Sequence, residues 1–112
     1  IIHDFLTWKP DKKYDIAICM QTLEHISDDK VVIFAKKLFE MSDHVVISVP
    51  YMWKKGQSPN HLQDPVDENK IYRWTGQRPT NTHISTDKKI LSGSPKQRII
   101  CYYNKFERKV NN

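Results

Sequence analysis

The stretch from Tyr14 to Ile26, YDIAICMQTLEHI, constrains the fold more than any other part of the chain, because an apolar run leads directly into a polar turn and then a helix start. Ile16-Ala17-Ile18-Cys19-Met20 is continuously apolar, as a parallel strand is when both of its faces are covered. It predicts a central strand beginning at Tyr14. Gln21, Thr22, Glu24 and His25 follow at the strand's carboxyl end, where open α/β sheets place their ligand crevice. Position makes this turn the first candidate for a site.

The residues after the turn predict a crossover. Ser27 can cap a helix through its hydroxyl, and Asp28 and Asp29 suit the positive end of the helix dipole. Val31, Phe34, Ala35 and Leu38 recur at intervals of three and four, with Lys36, Lys37 and Glu40 on the other side, so the helix is expected from Asp28 to about Met41 with one stripe on a sheet. Ser42-Asp43 breaks that pattern. His44-Val45-Val46-Ile47-Ser48-Val49 is a second β-branched run and ends at Pro50. Strand, helix and strand in this order predict a right-handed parallel crossover.

From Tyr51 to Thr86 the periodicity fades among Gly56, Pro59, Asn60, Pro65, Gly76 and Pro79, which predicts a long loop with short elements. Long irregular stretches inside compact domains are usually functional lids or partly disordered. A short strand or helix is expected from Ile84 to Leu91, then a turn at Ser92-Gly93-Ser94-Pro95, then a last strand from about Gln97 to Asn104, with a charged tail beyond. The 112 residues suit one domain: 1–50 as an α/β core, 51–96 as a loop-rich region and 97–104 as the final strand.

Charge is uneven. Residues 1–56 hold 8 Lys/Arg and 8 Asp/Glu, residues 57–112 hold 10 and 5, so the formal +5 belongs to the second half. Such a field attracts anions, although the cations are scattered, never form a run of five, and read first as an ordinary solvated face. Cys19 and Cys101 both lie in predicted strands without paired spacing, which implies reduced, buried thiols and a cytoplasmic protein rather than a disulfide framework. No apolar run approaches the roughly 18 residues of a membrane span, so no membrane partner is expected.

The pattern from Asp4 through YDIAICMQTLEH to HVVISVP resembles the later half of the class I S-adenosylmethionine-dependent methyltransferases, with LEH its most specific part. The resemblance covers residues 1–50 well and the remainder weakly, through the last strand. It implies an α/β fold, a partial Rossmann-like methyltransferase sheet of parallel strands with a crossover helix and an antiparallel C-terminal strand. It also implies S-adenosylmethionine as cofactor of the complete parent protein. In that reading Asp4 accepts from the adenine amine, Phe5 supplies a backbone contact and an apolar wall, and Met20, Gln21 and Thr22 face the methionine part. The acceptor would meet Tyr51, Trp53 and His61, with Trp74 as a further candidate. A glycine-rich cofactor loop is missing, because Gly56, Gly76 and Gly93 are never grouped as G-x-G. The chain by itself is therefore expected not to methylate, and the edge of its first strand to invite self-association.

Within this framework His25 is the best base for an alcohol or phenol acceptor, and Glu24 beside it can bind a polar acceptor or fix the turn. The same pair also reads as an anchor for the helix start, and each loop aromatic also reads as local packing. His61 with Asp64, and His25 with Asp28, are two-ligand pairs of a kind too common to signify a metal, so none is assigned. Neither cysteine has a polarising neighbour in sequence. The expected acceptor is a small molecule, anionic if the basic half takes part, with nucleic acid not expected. The alternative is a non-catalytic methyltransferase-like binding or assembly module.

Overall fold

A computed structural model describes residues 5, 6, 9, 11–87 and 96–107. Its elements are β1 (Ala17–Met20), a 3-10 turn (Leu23–His25), α1 (Asp28–Met41), β2 (His44–Tyr51), α2 (Glu68–Thr75), β3 (Asn81–Asp87) and β4 (Lys96–Asn104). The four strands form one mixed sheet in the order β1-β2-β4-β3. β1 and β2 are parallel, with Ala17 opposite Val45 and Met20 opposite Ser48. β4 runs antiparallel to both of its neighbours, with Ile47 opposite Cys101 and Ile84 opposite Ile99. The expected α/β sheet with a crossover helix and an inserted antiparallel last strand is the one observed.

Alternation along these strands sends Ala17, Cys19, Val45, Ile47, Val49, Ile99, Cys101 and Tyr103 to one face, and all of them are buried. The helix α1 covers that face with Val31, Ala35 and Leu38, and α2 adds Ile71 and Trp74. Burial of a side chain the size of Ile47 contributes about 1.5–3 kcal/mol, so this layer holds the domain together. Trp74 belongs to this core, 5% exposed, and is not available as an acceptor contact.

Three expectations are corrected. β1 is an edge strand of the described sheet: Ile16, Ile18 and Met20 are 46%, 60% and 50% exposed, so one face of the run is uncovered where two covered faces were expected. Tyr14 contributes only an isolated bridge to Ser42 and not a strand. Ser27 stands at the N-cap of α1, but its hydroxyl donates to Asp29 and accepts nothing from the first turn.

The region after β2 is also more regular than its punctuation predicts. The carboxylate of Asp67 caps α2 by accepting from the Lys70 N–H at 2.8 Å, and Gly76 ends it at φ +70°, a left-handed conformation that needs no Cβ. Of the strand or helix expected from Ile84, the described part is a strand, β3, and it starts three residues earlier, at Asn81. Asp4, residues 88–91, the Gly93 turn and residues 108–112 of the charged tail lie outside the described residues, while the start of the tail, Lys105–Glu107, forms a 3-10 turn. Among the described residues no helix is long and apolar enough to cross a membrane.

Candidate functional site

β1 and β2 are parallel, so their carboxyl ends share one rim of the sheet, and the polar turn after β1 is fastened there. Gln21 adopts φ +53°, a left-handed conformation uncommon for a residue with a Cβ. Two bonds to β2 hold it: the Gln21 N–H donates to the Ser48 carbonyl at 2.7 Å and its side-chain amide to the Ser48 hydroxyl at 2.8 Å. The Thr22 hydroxyl donates back to the Met20 carbonyl at 3.0 Å. Leu23, fully buried, then anchors the 3-10 turn in the core and carries the next two residues with it.

Those two are Glu24 and His25, and the loop after β2 folds over them. The Leu62 N–H donates to the Glu24 carbonyl at 2.7 Å, which brings His61 to the turn. Ligand atoms of Glu24, His25 and His61 all lie within 4.8 Å of one another. The Glu24 Oε2 is 3.6 Å from His25 Nε2, and the two imidazoles meet edge to face with centroids 4.9 Å apart. Each ring has its Nδ1 engaged: that of His25 is 2.8 Å from the Asn60 carbonyl, and that of His61 is 2.7 Å from the Asp64 carboxylate. A carbonyl or carboxylate there accepts a hydrogen bond from Nδ1–H, and in the neutral imidazole of that tautomer Nε2 carries the lone pair, the form in which histidine binds a metal.

Glu24 is 1% exposed, and its Oε1 has no hydrogen-bond partner among the described residues. Burial pushes its carboxyl above the ordinary range, and the nearby imidazoles of His25 and His61 offset only part of that push. A buried carboxylate oxygen without a donor, beside two imidazoles whose lone pairs are free, fits a divalent cation through one oxygen and two nitrogens. The sequence showed only pairs, and the fold supplies the third donor from 36 residues along. His61 and Asp64 make the contact their spacing allowed; the partner of Asp28 is instead the Gln63 side chain, at 2.9 Å.

The residues expected at the cofactor separate into two places. Phe5, Met20 and Thr22 line one open cleft of about 460 Å³ along β1, floored by Ile18, Phe34 and Met41, with the Phe5 and Phe34 rings 4.5 Å apart. Gln21 points the other way, to Ser48. Of the acceptor candidates, His61 belongs to the Glu24–His25 group, and Trp53 packs on it with ring centroids 5.2 Å apart. Tyr51 stands apart, its hydroxyl donating to Glu68 on α2 at 2.8 Å. Asn60 and Asp64, which orient the two imidazoles, carried no signal beyond lying beside His61 in the sequence.

No known family model matches the sequence, and no curated protein does. Solved structures do share the fold. The crystal structure of the small RNA methyltransferase HEN1 superposes with a TM-score of 0.57 at 14% identity, over 97% of this chain and 16% of that one. The DhpI–SAH complex matches with a TM-score of 0.50 at 17% identity, over 91% of this chain and 53% of that one. The chain therefore has a methyltransferase-like fold and spans between a sixth and about half of the length of these neighbours. The expectation of a small-molecule acceptor, with nucleic acid set aside, is overturned by the first of them, whose substrate is RNA.

Proposed function

We propose that this chain is the acceptor-side part of an S-adenosylmethionine-dependent methyltransferase whose acceptor is an RNA hydroxyl. The observation that carries this is the convergence of Glu24, His25 and His61 on the strand rim, where the buried Glu24 carboxylate keeps one oxygen without a partner among the described residues. Two further facts support the class of reaction and of acceptor: the fold neighbours are a small RNA methyltransferase and a protein holding SAH, and the second half of the chain carries the net positive charge.

A divalent cation held by these three residues would bind the acceptor oxygen and lower the pKa of its proton. The chain's own residues do the rest. Asp64 and the Asn60 carbonyl fix the His61 and His25 rings through Nδ1, which sets the His25 Nε2 at 3.6 Å from Glu24 and keeps His61 in the same group. Glu24 supplies the compensating charge, and its burial keeps bulk water from screening it. In the absence of a cation, His25, the more exposed of the two imidazoles, is the group able to take the hydroxyl proton. On the cofactor side, Asp4, Phe5, Met20, Gln21 and Thr22 are the residues assigned to S-adenosylmethionine, and the cleft shared by Phe5, Met20 and Thr22 has apolar walls that suit the cofactor's adenine ring.

Calorimetric titration tests this directly. Mn²⁺ should bind the chain at one site, and a short single-stranded RNA should bind more tightly with Mn²⁺ than with EDTA. Absence of Mn²⁺ binding, or RNA affinity indifferent to it, overturns the proposal.

A further inference from the structure

The rim that carries Glu24, His25 and His61 continues past Trp53 into a second pocket. It encloses about 350 Å³ where the end of β3 meets the start of β4, and is lined by Trp53, Ser85, Thr86, Lys96, Gln97 and Arg98. Among the described residues the lining holds two cations, two hydroxyls and no carboxylate. The other polar clefts differ: one is lined by Glu40 and Asp43, another by Asp28. Lys96 and Arg98 are exposed, and neither forms an ion pair with any side chain that the structure describes, a set that does not include that of Asp87. Lys54 and Lys55 follow Trp53 directly and are exposed as well, while Asp87 is the one acidic residue in the ladder here, opposite Lys96.

Trp53 joins this pocket to the site. Its ring packs on His61, its indole N–H donates to the Gln97 carbonyl at 3.0 Å, and the Lys96 ammonium lies 4.7 Å from its ring centroid. The indole is thus fixed on β4, and it holds Lys96 over its face by the ring's quadrupole. One aromatic ring separates the imidazole of the candidate cation site from the first cation of the pocket.

We propose that this pocket holds backbone phosphate of the RNA strand whose acceptor nucleotide lies at Glu24, His25 and His61, with Lys96 and Arg98 as the phosphate contacts and Ser85 and Thr86 as neutral donors. The inference rests on the RNA reading above and adds the path of the strand along the rim, from the cation site across Trp53 to the start of β4. Arg98 suits a phosphate through its planar fork and Lys96 as a point charge.

The test is the salt dependence of binding of a short single-stranded RNA to the full chain in the presence of Mn²⁺, compared with the variant K96Q/R98Q. Each single-strand phosphate contact contributes about 0.7 to the slope of log K against log salt, so the double variant should lower the slope by about 1.4 and weaken binding by about 25-fold at 0.1 M salt. Its Mn²⁺ affinity should be unchanged, and the charge-keeping exchange K96R/R98K should bind RNA nearly as well as wild type. Lys36→Gln, on α1 and in a different cleft, should leave both slope and affinity within twofold. If the wild type binds RNA and K96Q/R98Q binds equally well with the same slope, or if Lys36→Gln costs as much as either pocket cation, the phosphate pocket is refuted and the RNA reading stands. If the wild type binds no RNA at all, the acceptor assignment falls and the pocket falls with it.

Discussion

Glu24→Gln should stabilise the protein without cation and abolish its response to one. The carboxylate is almost fully buried, and its Oε1 meets no donor among the described residues, so in the absence of a cation a desolvated charge destabilises the fold. Leaving such a group unpaired costs about 1–3 kcal/mol. Glutamine removes the charge, keeps the volume, and can turn its amide toward the His25 Nε2 that now stands 3.6 Å from the carboxylate. Taking the low end, a gain of about 1 kcal/mol raises Tm by roughly 4 °C for a domain of this size.

The pH dependence has a definite sign. Burial raises the folded pKa of Glu24, so its stability contribution is present below the unfolded value of about 4.3 and is lost as pH rises through the folded value. The advantage of Glu24→Gln should therefore be complete at pH 8 and vanish near pH 4. Cation acts in the opposite direction: at about 100 times its Kd, Mn²⁺ should stabilise the wild type by about 2.7 kcal/mol, and the variant hardly at all. Thermal melts of both proteins at the two pH values, with Mn²⁺ and with EDTA, measure every arm. A variant that melts below wild type in EDTA at pH 8, or that gains as much from Mn²⁺, would refute the assignment of Glu24 as a buried ligand.

Other consequences are open to measurement. Asp64→Asn keeps an acceptor for the His61 Nδ1–H but removes its charge, and should weaken Mn²⁺ binding by about tenfold, within the 10- to 100-fold range of outer-shell partners; calorimetry reads this, and an unchanged affinity would exclude His61 as a ligand. Burial pushes the thiols of Cys19 and Cys101 up to about 11, so iodoacetamide at pH 8 should modify neither until denaturant is added. Ile47, fully buried between Cys19 and Cys101 in the sheet, should cost about 2–5 kcal/mol when replaced by alanine, seen as a lower urea midpoint. With no G-x-G among its glycines, this chain alone should bind S-adenosylmethionine at millimolar rather than micromolar Kd, a loss of about 4 kcal/mol.

The parts of the fold that could be read from residues are those where period and burial coincide. The stripe Val31, Phe34, Ala35 and Leu38 located α1 to its final residue, and the β-branched run before Pro50 located β2, because each presents one apolar face to one partner. β1 was read with two covered faces because its sequence is apolar on both. Burial of the second face depends on what packs there, a property of the surroundings that composition cannot carry. α2 was hidden for a different reason: it has eight residues, only Ile71 and Trp74 are buried, and its bounds are set by a cap at each end, Asp67 and Gly76, which in sequence look like ordinary loop punctuation.

The site was legible in the same uneven way. Glu24 and His25 stand where topology places a crevice, so the strand pattern alone pointed to them. His61 lies in a segment with no periodicity, and what brings it to them is one backbone bond, from the Leu62 N–H to the Glu24 carbonyl, together with the Gln63 amide donating to the Ile26 carbonyl at 2.7 Å. These bonds use main-chain groups or a single side chain that can bond almost anywhere, so nothing in the residue types announces them. A ligand set split as two neighbours and a third residue 36 positions away reads as pairs until the loop is seen to close. The orphaned Glu24 oxygen is the sign that remains after closure: among the described residues the fold gives Gln21, Ser48, His25 and His61 partners but leaves two buried carboxylate oxygens bare, Glu24 Oε1 and Asp64 Oδ1, and of these Glu24 Oε1 belongs to the residue grouped with both imidazoles, where a positive charge has room.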